Sequence, residues 1–181
     1  MNFVQPIRDM EKVEAIKAYL KNKNERDYIL FVTGINTGLR ISDILKLKVK
    51  DVKGMHIAIR EQKTDKQKWI RITPSLKREL KHFIQGMSDD HFIFKSREGV
   101  NKPIGRSMAY KILREVADEF NLQNIGTHTL RKTFGYHFYY QQGKDVAMLQ
   151  EIFNHSSPNI TRRYIGVNQD IMDKAMANFK I

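Results

Sequence analysis

Cysteine is absent from all 181 residues. That removes disulfides, thiolate nucleophiles and cysteine-ligated zinc together. Long apolar runs are missing too: no stretch approaches the roughly 20 consecutive apolar residues of a membrane span. The amino-terminal MNFVQPIRDMEK also lacks the apolar core of a secretory signal. A soluble chain with a cytoplasmic location and no membrane partner is expected. Acidic residues are in deficit, 20 against 32 lysines and arginines, for a net charge of +12. Such an excess favours an anionic partner, of which nucleic acid is the usual one.

Several catalytic signatures are missing as well. The chain has no His-Glu-x-x-His, no acidic loop with calcium spacing and no Cys/His cluster, so no metal site and no cofactor are expected. TGINTGLR contains glycines but lacks the Gly-Lys-Ser/Thr ending of a phosphate-binding loop, and no Gly-x-Ser-x-Gly occurs. Repeats, low-complexity runs and linkers are also absent.

What is present reads as one folded unit over residues 1–181, with 41% hydrophobic and 10% aromatic residues. Asp9 can cap a first helix carrying Met10, Val13, Ile16 and Leu20 on one face. RDYILFVTGINTG reads as a mostly buried helix closed by a glycine turn. LRISDILKLKVKDV reads as a short helix and then extended chain. MHIAIR and WIRIT alternate as strands around the lysine-rich loop EQKTDKQK, which makes a hairpin. Pro74 opens another helix, HFIF reads as a short strand, and helical spacing returns from Ser107 to Phe120. Thr127 is the expected cap of the next helix, whose stripe is Leu130, Phe134 and Phe138 and which Gly143 ends. Asp145 and Ser157-Pro158 start two more helices, and the tail is amphipathic through Ile171, Met172, Ala175, Met176 and Phe179. The expected fold class is α+β, mainly helical with a small antiparallel hairpin.

The remaining chemistry lies in cations and one tyrosine. Arg40 heads a helix, where the macrodipole disfavours a cation, so an anion ligand and a surface arginine compete as readings. His128 and Arg131 lie three apart and share a helical face. They could grip one phosphate, or be a capping histidine and a solvated arginine. Lys63, Lys66 and Lys68 crowd the hairpin loop, and His155 sits at a junction between helices. Charged residues of this kind are more often solvated than functional.

The order of the motifs adds to this. TGLRISDILKLKVKDV, QKTDKQ, HTLR and NHSSPNITRRY follow one another along the chain, in a pattern that resembles the catalytic domain of the tyrosine recombinases, or phage-type integrases. The resemblance runs from about Met10 to Ile181. It implies that Arg40, Lys63, His128, Arg131, His155 and Tyr164 are catalytic, with Tyr164 the nucleophile and Asp43 a supporting acid. Lys66 is the alternative to Lys63. Phe153-Asn154 replaces the Leu-Gly usual before the second histidine, and Asn tolerates the left-handed backbone that such a turn requires. The resemblance further implies metal-free cleavage of double-stranded DNA through a 3′-phosphotyrosyl link, with Lys63 protonating the leaving 5′ hydroxyl. Relatives carry an amino-terminal DNA-clamping domain for which this chain has no room, and they work as a tetrameric synapse. Self-association through the terminal helix, residues 168–180, is therefore expected.

Lys66, Lys68, Arg106, Arg162 and Arg163 are the candidate DNA contacts, through phosphates whose grip weakens with salt. Tyr136, Tyr139 and Tyr140 read as core or groove surface instead of rival nucleophiles. A type IB topoisomerase-like nicking and rejoining enzyme shares the chemistry, and a non-catalytic DNA-binding module is the alternative from another class.

Overall fold

The computed structural model describes residues 4–60 and 67–180. It is mainly helical with one two-stranded antiparallel sheet, as the sequence leads one to expect. Lys63 and Lys66 lie outside the described residues. No helix among the described residues is long and apolar enough to cross a membrane.

Helix α1 (Met10–Lys23) starts at Asp9, whose carboxylate accepts the Glu11 N–H at 2.8 Å, and it buries Val13, Ile16 and Leu20. Helix α2 (Glu25–Thr37) is the centre of the larger core. Tyr28 through Gly34 are all buried, so no face of its middle turns meets water. It ends at Gly38 in a left-handed conformation, φ +61°, where a Cβ would also lie 2.3 Å from Phe134. That turn throws the chain into the short helix α3 (Ile41–Ile44).

Two expectations are corrected here. The segment after α3 does not stay extended: Val49–Val52 coil into α4, because the Asp51 carboxylate accepts the Lys48 N–H at 2.8 Å and closes a turn. HFIF is no strand of its own. Its backbone bonds back to the edge of α4 (Val49 N–H to His91 O, Ile93 N–H to Leu47 O, both 2.9 Å), a bridge too short to be a ladder. The hairpin itself is as expected. Strands β1 (His56–Arg60) and β2 (Gln67–Arg71) pair with Ile57 opposite Ile70, and Ile57 is fully buried. Met55, the first residue of MHIAIR, precedes the strand and is exposed.

Helices α5 (Pro74–Phe83) and α6 (Arg106–Glu119) close the larger core. The second core joins α7 (Thr129–Gln141), α8 (Val146–Phe153) and α9 (Pro158–Ile165) through Tyr139, Leu149, Phe153 and Ile165, with Val167 just beyond α9. Gly135 permits the close approach of these three helices: a Cβ there would lie 2.7 Å from both Ile165 and Phe153. Gly135→Ala is expected to lower stability by about 1–3 kcal/mol, the usual cost of overpacking, measured as a fall in the urea midpoint.

The last helix, α10 (Val167–Ala177), is anchored at its start and then stands away from the body. Val167 is buried, while Ile171, Met172, Met176 and Phe179 are 53–70% exposed. The apolar stripe read in the tail is therefore present but uncovered within this chain.

Candidate active site

Four segments converge on Tyr164: the turn after α2, the first turn of α7, the end of α8, and α9. Each is aimed by local chemistry. Leu39 and Ile41, both buried, fix the backbone on either side of half-buried Arg40, whose charge acts on Tyr164. Asp43 is 4% exposed, and its N–H bonds the Arg40 carbonyl at 2.9 Å.

The start of α7 differs from expectation. The helix begins at Thr129, whose hydroxyl accepts the Gly126 N–H at 3.1 Å, and Thr127 plays no capping part. His128 occupies the cap position but its side chain makes no cap bond. Its Nδ1 instead meets the Tyr164 hydroxyl at 3.2 Å. Arg131 is not solvated either, at 2% exposed. Its Nη1 donates to the Gly38 carbonyl at 2.5 Å and its Nη2 to the Phe153 carbonyl at 2.9 Å. The guanidinium also lies over the Phe153 ring, 4.2 Å from its centroid. One buried cation thus ties the turn that carries Arg40 to the turn that carries His155.

That second turn works as the Asn substitution suggested. Asn154 ends α8 in the left-handed region, φ +54°, and the His155 N–H bonds back to the Gln150 carbonyl at 3.0 Å. His155 Nδ1 meets the Thr161 hydroxyl at 3.1 Å, which sets the ring. Ser157 caps α9 by accepting the Ile160 N–H, with Pro158 in the first turn as expected. Tyr164 then falls in the last turn of α9, just before Gly166 turns left-handed.

The Tyr164 ring stands edge-on to His155, Phe153 and His128, with centroids 5.1, 5.5 and 6.4 Å away. Burial pushes the phenol above its ordinary pKa. The positive charges of Arg131 and Arg40, and a hydrogen bond from Arg131, pull the other way without winning. At neutral pH the resting side chain is a neutral phenol with a hydrogen-bond partner for its proton already in place. The arrangement is that of a buried phenol beside the positive charges of Arg131 and Arg40.

The basic residues named as DNA contacts scatter more widely. Arg163 on α9 and Arg106 at the start of α6 are exposed, while Arg162 is half-buried. Lys68 on β2 is half-buried and donates to the Ile152 carbonyl, so the hairpin is fastened to the end of α8. Of the rival tyrosines, Tyr139 is core, Tyr136 is half-buried and Tyr140 is exposed; none is among the rings packed on His128 or His155. Sequence reasoning missed Thr161, which orients His155, and Lys132, whose ammonium lies 5.0 Å from the Tyr164 ring centroid. Neither carries a local signal: one is a threonine in a helical run, the other a lysine that reads as solvated.

The fold is a mainly helical domain with a two-stranded hairpin, and its site gathers Tyr164 with His128, His155 and Arg131. The profile of the phage integrase family matches residues 8–170, and the chain belongs to that family. It is 56% identical over 171 residues to the "Probable integrase/recombinase YoeC" of Bacillus subtilis (strain 168), covering 94% of this chain and 93% of that one. It is 26% identical over 171 residues to the tyrosine recombinase XerA of Pyrococcus furiosus, covering 92% of this chain but 59% of that one. The crystal structure of the XerH site-specific recombinase bound to its difH substrate superposes with a TM-score of 0.71 at 20% identity, over 98% of this chain and 55% of that one. The chain therefore spans most of YoeC and somewhat more than half of XerA and XerH.

Proposed function

We propose that the protein is a site-specific recombinase that cuts and rejoins double-stranded DNA in the cytoplasm, working as one catalytic domain over residues 1–181. The observation that carries this reading is the hydroxyl of Tyr164 held by His128 in a pocket that Arg131 and Arg40 make positive. A phosphodiester entering the pocket presents one negative charge and gains more in the transition state. Prepositioned guanidinium donors are matched to that change. The Tyr164 oxygen bonds to phosphorus as its proton passes to His128. The bond from phosphorus to the 5′ oxygen breaks, and that oxygen takes a proton from Lys63. The 3′-phosphotyrosyl link conserves the bond energy, so a second 5′ hydroxyl can reverse the step without ATP. The XerH complexes, which hold that relative on its difH substrate before and after cleavage, support the substrate class. The test is a denaturation-resistant adduct between the protein and nicked half-site DNA.

Partner protomers are the second part of the reading. The stripe of Ile171, Met172 and Met176 on α10, continued by Phe179 just after it, has no cover among the described residues, and a contiguous exposed apolar face commonly marks an interface. Met172→Asp combined with Met176→Asp is expected to leave the melting temperature unchanged within error, because both side chains already face solvent. It should abolish the higher-order DNA complexes that sedimentation detects with the unaltered protein.

A further inference from the structure

Lys132 follows Arg131 on α7, yet its side chain leaves by a different face, one helical turn beyond His128. Residues four apart on a helix lie one above the other. His128 and Lys132 accordingly meet the same neighbour: the imidazole takes the Tyr164 hydroxyl at 3.2 Å, and the ammonium lies 5.0 Å from the centroid of that ring. Lys132 is 9% exposed. Burial lowers its pKa, and the charge of Arg8 lowers it further. A methionine would fill the same space without the cost of burying a cation.

The amine is also anchored from behind. It donates to the Val4 carbonyl at 2.8 Å. The segment that supplies this carbonyl is itself fastened to the body. Gln5 N–H bonds the Asn124 carbonyl at 2.8 Å, Ile7 N–H bonds the Thr133 hydroxyl at 2.9 Å, and His137 Nε2 meets the Ile7 carbonyl at 2.9 Å. Arg8 then pairs with Asp170 on α10 at 2.9 Å. Lys132 thus has a fixed support on one side and the nucleophile's ring on the other.

We propose that Lys132 is a positioning residue for the nucleophile. Its ammonium, braced on the Val4 carbonyl, holds the Tyr164 ring while His128 holds the hydroxyl. Two-point restraint matters because attack demands a near-linear approach to phosphorus, and small misplacements of a reacting atom cost large factors in rate. A cation near an aromatic ring in a desolvated site is a strong enough contact to supply the second point. The inference rests on Tyr164 being the attacking residue.

Lys132→Gln keeps a donor for the Val4 carbonyl and removes the charge, Lys132→Met removes both, and Lys132→Arg restores a cation. Single-turnover adduct formation on saturating half-site DNA is expected to slow about tenfold or more in the Gln and Met variants. DNA affinity should hold, and Arg should recover much of the rate. In parallel, 3-fluorotyrosine placed at position 164 is read by fluorine NMR without DNA. Its resonance should shift or broaden in Lys132→Gln and return toward the original in Lys132→Arg. A Gln variant that forms adduct within twofold of the unaltered protein, with an unmoved fluorine resonance, overturns the proposal. Should the unaltered protein form no adduct, or Tyr164→Phe still form one, the catalytic reading fails instead. The fluorine resonance then decides by itself whether Lys132 holds the ring.

Discussion

Tyr164→Phe is expected to reduce covalent adduct on nicked half-site DNA below detection while leaving the dissociation constant for that DNA unchanged. The substitution removes one oxygen and keeps the ring, so its contacts with His155 and Phe153 persist. The hydrogen bonds lost with the hydroxyl, to His128 and from Arg131, cost roughly 0.5–3 kcal/mol, and a melting curve should register only that. DNA affinity comes from phosphate contacts by cationic side chains, which the change does not touch. Denaturing gels of radiolabelled half-site measure the adduct, and a filter-binding titration measures the affinity. Persistent adduct in this variant would move the nucleophile elsewhere in the chain.

Arg131→Lys is expected to produce the second largest effect, and on two properties at once. The guanidinium makes two hydrogen bonds to carbonyls on different segments and also bonds the Tyr164 hydroxyl. An ammonium is a single point and cannot span both carbonyls with the same geometry. One buried carbonyl then loses its donor, at about 1–3 kcal/mol of stability. The turns bearing Arg40 and His155 lose their common tie, and the phosphate loses a planar pair of donors. Adduct formation should fall roughly 10²–10³-fold, the usual loss for a prepositioned donor in a transition state. The phenol should also titrate higher, since the guanidinium's hydrogen bond to it, which opposes the effect of burial, is lost while the positive charge is kept. The alkaline limb of the cleavage rate against pH would move upward accordingly. A fall in melting temperature with an unchanged cleavage rate would make Arg131 a structural residue alone.

Much of the fold was legible from local rules. Asp9, Asp145 and Ser157 cap the helices they were expected to cap. Gly38 ends α2 with a positive φ, and the two strands pair across the lysine-rich loop. The errors fall where local rules compete. Asp51 reaches back to the Lys48 N–H and coils a segment whose apolar pattern suits extended chain. No side chain takes the capping part expected of Thr127: His128 stands at the cap without a cap bond, and the Thr129 hydroxyl accepts the Gly126 N–H of the preceding turn.

The sequence by itself determined a cysteine-free, strongly basic chain, the caps of α1, α8 and α9, the hairpin, and which side chains are available to a site, Arg40, His128, Arg131, His155 and Tyr164 among them. Capping, periodicity and turn chemistry act over a few residues, so a linear reading captures them. Which environment each residue enters was decided by tertiary structure alone. Arg131 could be solvated or buried until Gly38 and Phe153 supplied carbonyls from segments 93 and 22 residues away. Lys132 looked like any surface lysine until Val4, 128 residues distant, offered its ammonium an acceptor near the Tyr164 ring. The balance between burying a charge and compensating it depends on neighbours that chain order does not specify.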